Sequence, residues 1–307
     1  MGKEVQLMAA PLQGLTEAAW RNVHFRMFGD QQGDVEYFTP FIRVEKGYVR
    51  ARDLRDFTSD LNQGINVTPQ IIFRDVEEWK LLVDTLAEAG AERIDMNFGC
   101  PFIPQVKKGR GAGMLPRTDM VAQIADAMMP YAATLKFSVK MRLGVRDPSE
   151  AMELVSIINN MPLRHVTVHP RTALQQYKGE LLLDEMAEFV SLLKHPVIYN
   201  GEISKPSDIE NLSASYAGVM AGRGLLARPS LFSEFLSGRE LSAHEQEDYF
   251  LSLMREMAGI LEQRLCGPTQ FRDKMKPYWE YPPASLYKKI TKQGKKFGVI
   301  DSICWRG

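Results

Sequence analysis

The sequence contains no apolar run long enough to cross a membrane and no apolar signal-peptide core. A spanning helix needs about 18 or more apolar residues, and the first segment, MGKEVQLMAAPLQG, lacks the apolar centre of a signal sequence. Of the 307 residues, 45% are hydrophobic and 25% are charged, which suffices to build a buried core. We therefore expect a globular protein in the cytoplasm, without membrane attachment.

The sequence also has few cysteines and no net charge. The three cysteines, Cys100, Cys266 and Cys304, have a spacing that fits neither a zinc site nor a disulfide framework, so no metal site is predicted. The formal net charge is zero, which argues against a globally basic nucleic-acid-binding protein. Residues 264–307, however, contain ten Lys and Arg against three Asp and Glu, so a local basic patch is predicted there.

Eight short apolar segments alternate with helical patterns along most of the chain. The predicted strands are residues 5–12, 35–41, 68–73, 93–99, 137–143, 165–170, 196–201 and 216–222. Helix patterns lie between them, most clearly at 75–90, 149–161 and 184–195. The alternation predicts a parallel sheet, and eight units favour a closed (β/α)₈ TIM barrel of the α/β class. A doubly wound open sheet is the alternative.

The strand signals stop past residue 240. Residues 243–268 and 283–298 have the periodicity of two helices, the second of them basic. We therefore predict two domains: a barrel over residues 1–238 and a small α-helical domain over residues 239–307.

Polar residues or glycines occur at the ends of seven of the eight predicted strands. In barrels of this type the active site lies at the carboxyl ends of the strands. A purely structural barrel would not need these residues, so we predict an enzyme. They include Pro11, Leu12, Gln13, Gln70, Asn97, Cys100, Lys140, Arg142, His169, Arg171, Asn200, Gly201, Glu202, Gly222, Arg223 and Gly224.

Some of these residue types indicate chemistry. Glycines and Arg223 after the seventh and eighth strands predict a phosphate site, because glycine lets backbone N–H groups approach an anion. Lys140 lies within an apolar strand, where an inward ammonium would need an anionic or electron-rich ligand. From the residues alone, Cys100 is either a nucleophile or an acid. His169 is explained equally well as a core histidine, and Tyr177 as a loop anchor.

The motifs that carry a family resemblance are APLQG, PQIIF, MNFGCP, GRGAGML, VKMRLG, HPRTALQQYKG, YNGEI and GVMAGRGLLARPSLF. In this order they resemble the FMN-dependent tRNA-dihydrouridine synthases over roughly residues 5–235. That family also has a carboxyl-terminal helical RNA-binding domain. The chain departs from the family pattern at Leu12, usually Met, at Pro40, usually Glu, and at Pro170, often Gly.

The resemblance implies a role for each matching residue. Cys100 is the implied catalytic acid, and the implied substrate neighbours are Asn97, Arg142, Arg171 and Tyr177. The implied FMN contacts are Pro11, Leu12, Gln13, Gln70, Lys140, His169, Asn200, Gly201, Glu202, Gly222, Arg223 and Gly224. The basic tail then supplies RNA contacts at Lys288, Lys289, Lys295 and Lys296.

The implied reaction has two halves. NADPH, or NADH, reduces FMN, and a hydride then passes to C6 of a uridine in tRNA while Cys100 protonates C5. As an acid, Cys100 must remain a thiol near neutral pH, which its ordinary pKa of about 8.5 allows. The uridine must leave its stack to reach a flavin inside a barrel. Residues 107–113 are expected to form a mobile loop beside the RNA entrance.

Three other functions remain open at this point. The chain could modify ribosomal RNA instead of tRNA, or reduce a free pyrimidine or a similar small molecule with its flavin. It could also be an RNA-binding module on an inactive barrel, although the complete set of site residues argues against that. The expected oligomeric state is a monomer.

Overall fold

The computed structural model describes residues 5–32 and 35–292. The first and last strands of the barrel pair with each other, and all strands belong to one continuous sheet. The strands are β1 (Gln6–Ala9), β2 (Glu36–Phe38), β3 (Ile42–Glu45), β4 (Tyr48–Val49), β5 (Val67–Thr68), β6 (Gln70–Ile72), β7 (Arg93–Phe98), β8 (Lys136–Gly144), β9 (Leu163–Thr172), β10 (Val197–Tyr199) and β11 (Gly218–Ala221).

Helices follow most of the strands and continue beyond the last one. Short 3-10 turns occur at Asp60–Asn62, Gly111–Met114, Met129–Tyr131 and Lys276–Glu280. The α-helices are α1 (Ala18–Gln32), α2 (Ala51–Phe57), α3 (Val76–Glu88), α4 (Ile103–Val106), α5 (Thr118–Met128), α6 (Ser149–Met152), α7 (Val155–Ile158), α8 (Leu183–Leu192), α9 (Pro206–Ser213), α10 (Arg223–Ala227), α11 (Leu231–Ser237), α12 (Ala243–Arg264), α13 (Pro268–Met275) and α14 (Ala284–Lys292).

The barrel closes through one strand that is interrupted at Pro69. Before the proline, β5 pairs in parallel with β2; after it, β6 pairs in parallel with β7. The Gln70 amide donates to Thr39 Oγ1 at 3.1 Å, and Pro69 O accepts from the Asp95 amide at 2.9 Å. The eight predicted strands therefore form a closed ring, which confirms the (β/α)₈ barrel over the open sheet.

Some predicted element boundaries were wrong. The hairpin of β3 and β4 was not predicted; it turns at Lys46 and Gly47, both with positive φ. The helix predicted at 149–161 is two short helices, α6 and α7. The helix predicted at 243–268 ends at Arg264, and Pro268 begins the next helix instead of terminating this one, since proline fits the first helical turn.

Side-chain alternation divides the barrel strands into two faces. On β8, Phe137, Val139, Met141 and Leu143 belong to the large apolar cluster between strands and helices, while the residues between them are polar. The interior is itself divided. One half is lined by a small apolar cluster that includes Met8, Phe38, Ile198 and Met220; the half formed by β6 to β9 carries polar side chains.

The helices after residue 242 pack against the first barrel helix. Ser242 and Glu245 form a capping box that starts α12, whose buried residues join the main apolar cluster. The rings of Phe28 on α1 and Tyr249 on α12 lie 5.3 Å apart. Tyr278 donates its hydroxyl to Leu15 O in the loop after β1. This packing places the helical region beside the carboxyl end of the barrel.

Membrane-spanning helices and metal-binding clusters are both absent from the described ranges. Within residues 5–32 and 35–292, no helix is both long and apolar enough to span a bilayer. The same part of the chain contains no group of three or more His, Cys, Asp or Glu residues that could hold a metal ion.

We predict that Met257→Ala destabilises the whole protein in one transition. Met257 is fully buried in the apolar cluster shared by α12 and the barrel, and such truncations cost about 2–5 kcal/mol. Urea unfolding followed by circular dichroism measures the loss. Arg255→Ala, at an exposed position of the same helix, should change stability by less than about 0.5 kcal/mol. Separate unfolding of the helical region would contradict this prediction.

Candidate active site

A cavity of about 580 Å³ opens at the carboxyl ends of the barrel strands. Ligand pockets typically have volumes of about 300–1,000 Å³. Many predicted site residues line it together, although they come from six different strands and their loops. They are Pro11, Leu12, Gln13, Asn97, Cys100, Lys140, Arg142, His169, Tyr177, Asn200, Gly201, Glu202, Gly222, Arg223 and Gly224.

Several predicted residues are not part of this cavity. Gln70 and Arg171 are fully buried behind its wall. Lys288 is exposed on α14 and does not line the cavity. Lys295 and Lys296 lie outside the described residues, as does the side chain of Lys289.

Cys100 is held by a chain of buried hydrogen bonds. The backbone amides of Gly99 and Cys100 donate to Asn97 Oδ1, at 3.0 and 2.8 Å. Asn97 Nδ2 donates to Gln70 Oε1 at 2.7 Å, and Gln70 Nε2 donates to Asp95 Oδ2 at 2.7 Å. Gln70 thus contacts the cavity only through Asn97.

The Cys100 thiol lies half-buried in the cavity wall. Burial raises the pKa of the thiol, while a hydrogen bond from the Phe102 amide and the positive charges of Arg142 and Lys140 oppose the shift to a smaller extent. The thiol is therefore protonated at neutral pH. The environment suits a proton donor better than a nucleophile, which needs the thiolate.

The glycine-rich loop after Cys100 is packed tightly, so the predicted mobile loop is wrong for its second half. Residues 110–115 are buried. Arg110 forms an ion pair with Glu78 and donates to Val44 O at 3.0 Å. A Cβ at Gly111, where φ is +58°, would lie 2.8 Å from Cys100 Cβ. Glycine is required here because any side chain would collide with Cys100, against which the loop packs.

Lys140 places a half-buried cation in the cavity. Its pKa is lowered to about 8, chiefly by burial and then by the charge of Arg142; Asp95 and Cys100 act in the opposite direction. In the described part of the chain, its ammonium group forms neither a hydrogen bond nor an ion pair. Lys140 is thus available to an anionic or electron-rich ligand, as the sequence predicted.

Two arginines lie against the ring of Tyr177. The guanidinium carbons of Arg223 and Arg142 are 4.7 and 5.4 Å from the ring centroid. Arg142 is also fixed by donating to Gly99 O at 3.0 Å and to Thr172 O at 2.9 Å. Tyr177, which is 50% exposed, therefore forms an aromatic rim with cations on the cavity side.

Arg171 connects two loops of the site. Its guanidinium pairs with Glu202 and donates to Gly179 O at 2.9 Å. Glu202 has φ of +46°, a conformation that non-glycine residues rarely adopt without support. Arg171 therefore positions Glu202 and the loop after Tyr177 from behind the cavity wall.

Glycines shape the side of the cavity formed by β10 and β11. A Cβ at Gly224 would lie 1.8 Å from Ile203 O, and a Cβ at Gly201 would lie 3.2 Å from both Pro170 and Tyr199. Arg223 adds a positive charge beside them. A phosphate group is bound well where backbone N–H groups line a cavity and a cation lies beside them.

His169 forms no hydrogen bond through its ring within the described residues. Burial lowers its pKa to about 2, and nearby cations led by Arg142 add to the shift, so the imidazole is neutral. Its Nδ1 is buried and has no hydrogen-bond partner among the described residues, although a buried polar atom normally has one. The ring itself lines the cavity, so the imidazole is a candidate ligand contact.

Sequence reasoning missed several residues of the cavity and of the layer beneath it, among them Asp95, Ser138, Phe41 and Tyr281. Asp95 and Ser138 lie inside predicted strands, where no turn or motif distinguishes them. Phe41 and Tyr281 line the cavity from the segment after β2 and from the region before α14. Tyr281 lies in the aromatic sequence YWEY, which was the available signal.

The sequence and the fold are similar to those of known proteins. The family model described as "Dihydrouridine synthase (Dus)" matches residues 8–298. A tRNA-dihydrouridine(16) synthase of Pseudomonas putida is 28% identical, over 89% of this chain and 87% of its own length. A probable tRNA-dihydrouridine synthase of Aquifex aeolicus is 27% identical, over 86% and 84%. Morphinone reductase superposes with a TM-score of 0.53 at 10% identity, over 77% and 87%, a likeness of fold alone.

We predict that Lys140→Met stabilises the ligand-free protein at pH 7. The folded-state pKa of Lys140 is about 8 against an ordinary 10.5, so folding favours the neutral amine. This cost is fully present below pH about 8 and disappears as the pH rises toward about 10.5. The gain should be about 1–3 kcal/mol at pH 7 and smaller at pH 10. Urea unfolding at both pH values tests it. Equal effects from Lys136→Met, at an exposed position of the same strand, would refute it.

We predict that Gly111→Ala displaces Cys100. The added methyl group would contact Cys100 Cβ at 2.8 Å, so the loop must move and expose the thiol. Iodoacetamide should alkylate Cys100 faster, as measured by peptide mass spectrometry. Gly47→Ala is the control: its φ of +83° gives similar strain, about 1–2 kcal/mol, with no neighbour within 4 Å. Unchanged alkylation in Gly111→Ala would show that the loop does not support the cysteine.

Proposed function

The chain belongs to the dihydrouridine synthase family, and on this premise we propose that it is an FMN-dependent tRNA-dihydrouridine synthase. The observation that carries the proposal is the protonated Cys100 thiol, which shares one cavity with the cation of Lys140. Reduction of the C5–C6 bond of uracil requires a hydride at C6 and a proton at C5. A buried acid beside a cofactor-sized cavity fits the second requirement.

The residues present fit an FMN molecule. Gly201, Gly222 and Gly224 bring backbone to the wall of the cavity, where Arg223 would pair with a phosphate. His169 Nδ1 is a buried polar atom without a protein partner, and Lys140 supplies a positive charge that favours an electron-rich ring. Asn200 donates to Met220 O at 2.7 Å, which holds it at the cavity edge.

The proposed chemistry assigns separate tasks to the cofactor and to the protein. Bound FMN, reduced by NADPH or NADH, would supply the hydride for C6. Cys100 Sγ holds the proton for C5, and burial keeps it there until transfer. Asn97 fixes the cysteine backbone through two amide hydrogen bonds. Tyr177 and the two arginines on its ring form the rim that a nucleotide would pass.

An arginine-lined cleft supports an RNA substrate over a free pyrimidine. The cleft has a volume of about 480 Å³ and is adjacent to the catalytic cavity, since Gln13 and Phe41 line both. Arg52 and Arg55 are exposed and form no salt bridge in the described part of the chain. RNA flanking the target nucleotide would place phosphates here. The lining cations are Arg43, Arg50, Arg52, Arg55 and Arg264.

The helical region completes the proposed RNA surface. The boundary proposed from the sequence, residues 1–238 and 239–307, falls between α11 and α12, where Gly238 adopts a left-handed conformation. Arg264 of α12 pairs with Asp60 at 2.6 Å, so both proposed domains contribute to the cleft. The basic residues Lys288, Lys289, Lys295 and Lys296 remain predicted RNA contacts.

The function is tested with purified protein, FMN, NADPH and unmodified tRNA. We expect flavin absorbance near 450 nm and dihydrouridine in the tRNA, with position 16 the first to examine because of the name of the Pseudomonas putida relative. Cys100→Ala should retain flavin reduction and lose product formation by about 10²–10⁴-fold.

Controls separate the alternative functions. Cys266→Ala, at an exposed cysteine, should behave like the unaltered protein. Product in ribosomal RNA or in free uridine, but not in tRNA, would replace the proposed substrate. Normal product formation by Cys100→Ala would eliminate its role as the acid.

We predict that the double variant Arg52→Ala, Arg55→Ala weakens RNA binding. Removing two phosphate contacts should reduce the slope of log K against log salt by about 1.4–1.8. Titration of labelled tRNA at several salt concentrations measures the slope. Lys80→Ala with Lys136→Ala removes two exposed charges elsewhere on the barrel. An equal loss in both double variants would show a non-specific charge effect and no phosphate site in the cleft.

A further inference from the structure

A fully buried carboxylate, Asp95, lies one layer below the catalytic cavity. It is in the middle of β7, and strand register places it beside Gln70 on β6 and Ser138 on β8. Ser138 Oγ donates to Asp95 Oδ1 at 2.6 Å, and Gln70 Nε2 donates to Asp95 Oδ2 at 2.7 Å. None of these three residues lines the cavity, so Asp95 acts only through others.

The hydrogen-bond chain from Asp95 to Cys100 can run in one direction only. At its upper end, the backbone amides of Gly99 and Cys100 are donors, so Asn97 must present its oxygen to them. Asn97 must then use its nitrogen toward Gln70, which accepts with Oε1 and donates with Nε2. At the lower end, both oxygens of Asp95 accept hydrogen bonds. The orientation of the two side-chain amides is therefore fixed, because the backbone donors at one end and the carboxylate acceptor at the other cannot exchange roles.

We propose that Asp95 is a positioning residue that sets the direction of this chain, and thereby fixes Asn97 and Cys100 for the reaction. The proposal rests on the proposed function, because uracil is the substrate that Cys100 must reach. Without an acceptor at position 95, Gln70 can reverse its amide and place an N–H group against Asn97. Asn97 would then lose its partner or turn, which would release the backbone amide of Cys100.

The same chain determines what Asn97 offers to a ligand. Its oxygen accepts two backbone hydrogen bonds, and one of its two N–H bonds is used by Gln70. Because Asn97 lines the cavity, the remaining N–H group is the one available there. A donor recognises a carbonyl oxygen, which uracil presents at both C2 and C4. Asp95 thus favours a base with carbonyl groups over one with an amino group at the contacted position.

The experiment compares three variants of the full-length protein. Asp95→Ala removes the acceptor, and kcat per bound flavin should fall by about 10- to 100-fold. In Asp95→Asn, the new amide oxygen can accept from Gln70 while the Ser138 hydroxyl turns to accept from the new N–H₂, so kcat should fall by less than about threefold. Ser138→Ala leaves the contact between Gln70 and Asp95 intact, so kcat should again fall by less than about threefold.

A second measurement does not depend on the activity. The rate at which iodoacetamide alkylates Cys100 in flavin-free protein should rise in Asp95→Ala and remain near the unaltered rate in Asp95→Asn and Ser138→Ala. If the unaltered protein makes no dihydrouridine, the proposed function fails, but the alkylation rates still test the hydrogen-bond chain. Unchanged kcat and alkylation in Asp95→Ala would overturn the proposal. Equal damage in Asp95→Asn would also overturn it, since charge would then matter and not direction.

A double variant covers the case in which Asp95→Ala does not fold. In Asp95→Asn with Ser138→Ala, nothing accepts from the new N–H₂, so the amide is free to turn its nitrogen toward Gln70. The loss in kcat and the increase in alkylation should then exceed the product of the two single effects. Multiplicative effects would contradict the proposed role of Asp95.

Discussion

In a closed barrel of parallel strands, every second side chain points into an interior sealed from water, so each polar group there needs a partner. The lower layer meets this requirement in part, since Ser138, Asp95 and Gln70 satisfy one another. On β9, in contrast, His165 Nε2 and Thr167 Oγ1 are buried without partners in the described part of the chain. Nearer the opening, Lys140 and His169 line the cavity and form no hydrogen bond within the described residues. These two residues are therefore the ones left for a ligand.

Much of the fold could be predicted because buried strands and functional positions both leave recognisable residue patterns in the sequence. Apolar strands interrupted by single polar residues, such as Lys140 between Val139 and Met141, are typical of barrel strands with functional residues. The eight strands were identified as short apolar runs that alternate with helical patterns, and the cavity residues from their position at the strand ends. Partners such as Gln70 and Asp95 are 25 residues apart and meet only through strand register. The sequence does not contain that register in readable form, so the contact between Gln70 and Asp95 was not predicted. The assignment of Gln70 to FMN came from the family resemblance and stays a prediction.

The errors have common physical causes. The sequence Gly-Pro at 267–268 can end one helix or begin another, and only tertiary packing decides between them. Glycines after Cys100 suggested mobility, whereas Gly111 is required because its neighbour is too close for a Cβ. The arginine-lined cleft was missed because its cations come from residues 43–55 and 264 and alternate with Asp53 and Asp56. Residues 43–56 contain five Lys and Arg against three Asp and Glu, an excess too small for a charge count along the chain to mark the cleft.

The Cys100 thiol stays neutral although two cations lie near it, because the effect of burial on its pKa is larger than theirs. Lys140 and Arg142 would by themselves lower the pKa of the Cys100 thiol and favour a thiolate. Burial raises that pKa by more, and the neutral His169 is a poor proton acceptor, with a pKa near 2. The same burial makes the uncompensated charge of Lys140 costly until an electron-rich ligand arrives. One low-dielectric cavity therefore keeps the Cys100 thiol protonated and leaves the charge of Lys140 for an electron-rich ligand.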